Sequence, residues 1–69
     1  MEYRRHLLNI DKGCDLEVMK NDLIKLGCNK VIIGDSYDRY TEVSITYSER
    51  FEKGVLHYID ASPEIHLVA

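Results

Sequence analysis

Val31-Ile32-Ile33-Gly34-Asp35-Ser36-Tyr37-Asp38-Arg39-Tyr40-Thr41-Glu42-Val43-Ser44-Ile45-Thr46-Tyr47 is the stretch that decides the fold of this chain. Both of its ends read as strands. Lys30 to Ile33 brings three β-branched residues in a row, Val31, Ile32 and Ile33, which suit a pleated, half-buried surface. Thr41 to Tyr47 alternates without a break: Val43, Ile45 and Tyr47 fall on one face, and Glu42, Ser44 and Thr46 on the other. Gly34 to Tyr40 is rich in turn formers and is expected to be the connection between them. Two consecutive strands therefore occupy the middle of the chain. One face of the second is buried, and the other meets water or a partner.

Outward from this centre the pattern changes period. Upstream, Tyr3 to Ile10 reads as a strand that ends at the turn Asp11-Lys12-Gly13. From Cys14 or Asp15 onward, Leu16, Met19, Leu23 and Leu26 recur at helical spacing, which predicts a helix from Asp15 to Leu26. Asp15 and Glu17 suit the positive end of its dipole, and Gly27 stands where a left-handed residue closes a helix. Downstream, Ser48 is a good N-cap for a second helix, in which Phe51, Val55, Tyr58 and Ile59 share one face. Gly54 weakens that helix by about 1 kcal/mol relative to Ala, and Pro63 stops it. Glu64 to Val68 is the last expected strand, with Ile65 and Leu67 pointing one way and His66 and Val68 the other.

Strand, helix, strand, strand, helix, strand is the element order of a ferredoxin-like β-α-β-β-α-β sandwich of the α+β class. The expectation is a single domain over residues 1–69. It has an antiparallel four-stranded sheet in the order 4-1-3-2 and two helices on one face. The opposite face is then uncovered and shows Glu42, Ser44, Thr46 and His66, with Ile32 among them. His6 and His66 are expected on outer strands. The connections Asp11–Cys14, Gly34–Tyr40 and Asp60–Pro63 are expected to gather at one end of the domain.

Sixty-nine residues lie near the lower limit for a self-sufficient core. Stabilisation by a partner is therefore expected, whether another protein or a second copy in a homodimer. Hydrophobic residues at 45% and charged residues at 30% place the chain outside the disordered class. Apolar runs reach only three residues, too short to span a membrane as a helix. The first residues lack the apolar segment of a secretory signal, so a cytoplasmic location, in a bacterial host or a phage-infected cell, is expected. The net charge of −3 and nine scattered Lys and Arg disfavour nucleic acid as a partner. Cys14 and Cys28 bracket the first helix, which at ~1.5 Å rise per residue holds them roughly 20 Å apart. A bridge needs Cα atoms within ~7 Å, so two free thiols are expected.

His6, His57 and His66 have no metal-ligand spacing with each other or with the cysteines, so no metal and no cofactor is expected. Cys14 near a helix N-terminus has the setting of a stabilised thiolate, but no orienting third residue stands out, and no enzyme activity is expected. Asp11, Asp35, Asp38 and Asp60 read as solvated turn residues and lack the order of a calcium loop. Arg4, Arg5 and His6 form a short basic cluster without the aromatic platforms of an RNA-binding sheet. Tyr37, Arg39 and Tyr40 are different. Aromatic and guanidinium groups at a loop bury much area at low entropy cost, which is why they are enriched at interface hot spots.

Two family resemblances follow. Asn9-Ile10-Asp11-Lys12-Gly13 with Leu23 and Leu26-Gly27-Cys28-Asn29-Lys30-Val31 resembles the start of an ACT regulatory domain. It lacks the proline that often precedes the turn glycine, and Lys30 intrudes before Val31. That resemblance implies amino-acid or small-metabolite sensing near Gly13 and the adjacent helix start. Val43-Ser44-Ile45-Thr46 and Ser62-Pro63-Glu64-Ile65-His66-Leu67-Val68 resemble the closing half of the subtilisin-propeptide inhibitor family. That family implies small inhibitors of the same element order, although its inhibitory tail runs on past the last strand and this sequence stops at Ala69. The function expected from these readings is a small non-catalytic protein that binds and inhibits or regulates a larger protein or complex, as phage-encoded inhibitors do. The alternative is an ACT-like ligand-sensing module, and the third is a nucleic-acid-binding ferredoxin-like domain. The expected partner-binding residues are Tyr37, Arg39, Tyr40, Ser44, Thr46 and His66.

Overall fold

A left-handed glycine closes the first helix and sets the packing of everything after it. The computed structural model describes residues 2–69. Strand β1 (Tyr3–Asp11) leads through a turn to helix α1 (Leu16–Lys25). Asp15 is the N-cap, its carboxylate accepting from the Glu17 and Val18 N–H groups at 3.1 and 3.2 Å. Such a cap satisfies donors that a helix start otherwise leaves orphaned. At the other end Gly27 takes φ +116° and turns the chain into β2 (Cys28–Ser36). The Phe51 ring packs directly on this glycine: a Cβ at position 27 would stand only 2.6 and 2.8 Å from its Cδ2 and Cδ1.

Strands β3 (Tyr40–Ser48) and β4 (Ile65–Leu67) complete a four-stranded sheet in the order β2-β3-β1-β4, every neighbouring pair antiparallel. Helix α2 (Glu52–Asp60) lies between them in sequence. Strand alternation sorts the residues. Leu8, Ile10, Val43, Ile45, Tyr47, Val31, Cys28 and Ile65 are buried, and they form one cluster with Met19 and Leu23 of α1 and Val55 and Ile59 of α2. Both helices thus cover the same side of the sheet. Fully burying one such aliphatic side chain contributes about 1.5–3 kcal/mol. The buried Tyr47 keeps its hydroxyl satisfied by His6 Nε2 at 2.7 Å, and His6 Nδ1 lies 3.1 Å from the Ala69 carbonyl oxygen. The Ala69 main-chain oxygen only accepts, so His6 Nδ1 donates to it.

Four sequence expectations shift. Gly34, Asp35 and Ser36 belong to β2 and Tyr40 to β3, so the connection shrinks from Gly34–Tyr40 to Tyr37-Asp38-Arg39. β2 is an edge strand with register shifts at Cys28/Lys30 and Ile33/Ser36, and such bulges accommodate turn-forming residues without ending the ladder. Ser48 precedes a 3-10 turn, Glu49–Phe51, and α2 begins only at Glu52. His6 stands on β1, an inner strand, leaving His66 alone of the two on an outer one. The final strand spans three residues, not five, although Asp11 N–H to Glu64 O at 2.9 Å and Val68 N–H to Leu7 O at 2.9 Å prolong its pairing. No helix among the described residues is long and apolar enough to cross a membrane.

Candidate protein-binding face and hairpin tip

Residues of the other parity along each strand make a second sheet face, with no helix over it among the described residues. Its register is fixed by the ladders, so its side chains fall in cross-strand rows. The central row is Ile32, Ser44 and Leu7, which face one another in that order. Val68, whose N–H donates to the Leu7 carbonyl, extends it. Ile32 and Val68 remain 57% and 52% exposed, large values for apolar side chains on a sheet. Two residues along, the next row is Lys30, Thr46 and Arg5. Tyr3, Arg5, Asn29, Lys30 and Thr46 line an open hollow of about 330 Å³ at this end. On the other side of the central row stand Glu42, Asn9 and His66. His66 Nε2 lies 3.0 Å from Asp11 Oδ1, both side chains being about half exposed. The face is therefore basic at one end, apolar across its middle and acidic at the other.

The β2–β3 hairpin ends at the acidic end. The rings of Tyr37 and Tyr40 are 5.0 Å apart and tilted by 33°, a favourable geometry for an aromatic pair. The Tyr37 hydroxyl donates to Glu42 Oε1 at 3.4 Å, and its ionisation is pushed up, chiefly by the Glu42 carboxylate and then by partial burial and Asp35. Arg39 is exposed at the tip, and its carbonyl accepts from the Lys12 N–H at 3.0 Å, which moors the tip to the turn after β1. Ser36 to Tyr40 line a shallow hollow of about 560 Å³. Tyr37 N–H donates to the Tyr40 carbonyl at 2.7 Å, and Ser36 Oγ is 2.8 Å from Thr41 Oγ1. The tip is thus held from within and anchored from below.

Of the six residues expected to bind a partner, the structure brings Tyr37 and Tyr40 into contact at the tip and leaves Arg39 beside them. Ser44 and Thr46 stand mid-face, and His66 lies at the β4 edge, tied to Asp11. Leu7 and Lys30 belong to the same face and escaped the sequence reading. The signal was present in β1, where Tyr3, Arg5, Leu7 and Asn9 alternate with the inward residues. The basic cluster of adjacent residues is a cluster in sequence only. Arg4 points to the helix side and pairs with Glu49 at 3.8 Å and Glu52 at 3.3 Å, His6 bonds Tyr47, and Arg5 alone serves the open face.

The other candidates lead elsewhere. Cys14 and Cys28 are both free thiols. Burial first, then the nearby carboxylates of Glu64, Asp15 and Asp11, push the Cys14 thiol up, the reverse of the thiolate activation that a helix N-terminus suggested. Burial pushes Cys28 up to about 11. The start of α1 near Gly13 has its Glu17 and Val18 N–H groups occupied by Asp15, so those two donors are not offered to a ligand. Among the described residues no three His, Cys, Asp or Glu side chains stand close enough to hold a metal ion. No family model, no curated protein and no solved structure matches the chain.

Proposed function

We propose that this is a non-catalytic module with a ferredoxin-like arrangement, which binds and regulates a larger protein through the hairpin tip and the uncovered sheet face. Read from the β4 edge, the strand order is β4-β1-β3-β2, which supports the fold assignment. The observation that carries the functional reading is the Tyr37–Tyr40 ring pair with Arg39 beside it, held out at the rim of an open face. The tip backbone is ordered by the Tyr37–Tyr40 and Lys12–Arg39 main-chain bonds, and the two tyrosine rings by their mutual contact, which lowers the conformational entropy lost on docking. Aromatic and Arg groups buried at an interface are the ones whose truncation costs ~2 kcal/mol or more in binding.

The test is capture of partners from the native host or the infected cell, followed by binding kinetics with the purified partner. Tyr37→Ala and Arg39→Ala keep the fold and speed dissociation, because truncation at a desolvated contact acts mainly on the off-rate. Tyr40→Ala also lowers stability, since Tyr40 belongs to β3 and is half-buried. Thr46→Glu, mid-face, weakens binding as well if the sheet takes part. Unchanged dissociation for Tyr37→Ala, Arg39→Ala and Thr46→Glu would overturn the proposal.

A further inference from the structure

The charge pattern of the uncovered face is complementary to itself, and we infer that its occupant is a second copy of this chain, docked face to face about a twofold axis along the row Ile32-Ser44-Leu7-Val68. The inference rests on the reading of this face as a protein-binding surface; it assigns the sheet face to a second copy and leaves the hairpin tip to the larger protein. Two sheets that meet face to face with their strands aligned can be related by a twofold axis along the strands or across them. An axis along the strands lays the Arg5/Lys30 end of one copy on the same end of the other, cation on cation. An axis across the strands reverses the ends. The Lys30-Thr46-Arg5 row of each copy then faces the Glu42-Asn9-His66 row of its mate. Glu42 sits opposite Thr46, between the two cations, and the apolar row on the axis packs against its own copy. Only this second arrangement joins opposite charges at both ends, and an isologous contact of this kind closes without leaving a reactive face.

The size is adequate. Three strands at ~4.8 Å spacing over five rows at ~6.7 Å, with β4 adding only the His66 and Val68 rows, give a patch of roughly 550 Å² per copy, the size of a weak, reversible interface. Ile32, Leu7 and Val68 form its apolar centre and the charged rows its rim. With its charged rows at the rim, the dimer is expected to have a dissociation constant that rises with salt.

Sedimentation velocity on the wild-type chain from micromolar to millimolar concentration reads the dimer directly. Glu42→Lys alone, and Arg5→Glu with Lys30→Glu alone, each set like charges across both ends and weaken self-association at least ~10-fold. Mixed together, the two variants restore dimers as heterodimers, because every charged contact is then opposite again. Circular dichroism confirms that each variant is folded. A wild-type chain that stays monomeric throughout, or a dimer that neither substitution weakens, overturns the inference. Loss of a captured partner in the Tyr37→Ala and Arg39→Ala variants, at the hairpin tip beyond the rows of the dimer face, reports on the broader protein-binding reading separately, whichever way the sedimentation falls.

Discussion

Replacing Gly27 by Ala tests the junction on which both helices depend. Two penalties act there. At φ +116° an L residue is strained, at a cost of about 1–3 kcal/mol. The added methyl also enters the Phe51 ring, and pushing a half-buried aromatic out of a packed position costs about 1–3 kcal/mol more. The sum is ~2–6 kcal/mol, against a total stability of roughly 3.5–10 kcal/mol for a domain of this length. Gly13→Ala supplies the internal control. Gly13 also has positive φ, +95°, but nothing lies within 4 Å of a Cβ there, so only the backbone penalty applies. Gly54→Ala supplies the opposite sign: its methyl meets only Leu26 Cδ2 at an ordinary 3.9 Å, and the helix gains about 0.5–1 kcal/mol. Urea unfolding followed by circular dichroism should rank the chains Gly54→Ala, wild type, Gly13→Ala, Gly27→Ala from most to least stable. Adding Phe51→Ala should cost less in the Gly27→Ala background than in wild type, since the clash is then already relieved. If Gly27→Ala and Gly13→Ala are equally stable, and Phe51→Ala costs the same in both backgrounds, the ring contact does not govern this junction.

Two further expectations concern titration and reactivity. Burial, then the hydrogen bond to Asp22 at 3.1 Å, pushes the Tyr58 hydroxyl up to about 12, so the folded state holds its proton more tightly than the unfolded chain does. That contribution is complete below pH 10 and fades as the pH rises through about 12, and melting curves over this range should show Tyr58→Phe losing less stability than wild type. Alkylation without reductant should label half-buried Cys14 in the native protein and buried Cys28 only on unfolding, with no disulfide mass at any stage. Native labelling of Cys28 at the rate of Cys14 would show that the end of β2 opens locally.

What could be read from the residues, and what could not, divides along a physical line. Hydrophobic period and β-branched composition named all six elements, and the acidic first turn at Asp15 and the closing Gly27 located α1 almost to the residue, because those signals arise within one turn of helix. The Gly34-Asp35-Ser36 run misled for the opposite reason. Its preference for turns is local, whereas its place in β2 is set by pairing with β3 around a bulge. Ser48 had the chemistry of a cap, but the 3-10 turn Glu49–Phe51 intervenes and brings Phe51 over Gly27, a contact between distant residues that no window reveals. The candidate face was only half legible. Alternation marked Ser44 and Thr46, yet the company they keep, Arg5 with Lys30 and Leu7 with Ile32, depends on strand order, which lies beyond any local pattern.

The short closure of the β2–β3 hairpin has a consequence for the order in which the chain folds. With only Tyr37, Asp38 and Arg39 between its strands, this ladder forms from neighbours and closes a small loop, whereas β1 must find β3 across α1 and then β4 from near the far end of the chain. Loop-closure entropy and the slow pairing of distant strands predict a hairpin that zips early, a first strand that waits, and a three-residue β4 that docks last. Pulsed hydrogen exchange during refolding should protect the Ser44 and Thr46 amides, which face β2, before those of Leu8 and Ile10, which face β3. During synthesis, β1 would leave the ribosome first and remain unpaired until β3 arrives. For that interval Leu7, Leu8 and Ile10 are the residues most exposed to chaperones and to unwanted strand pairing.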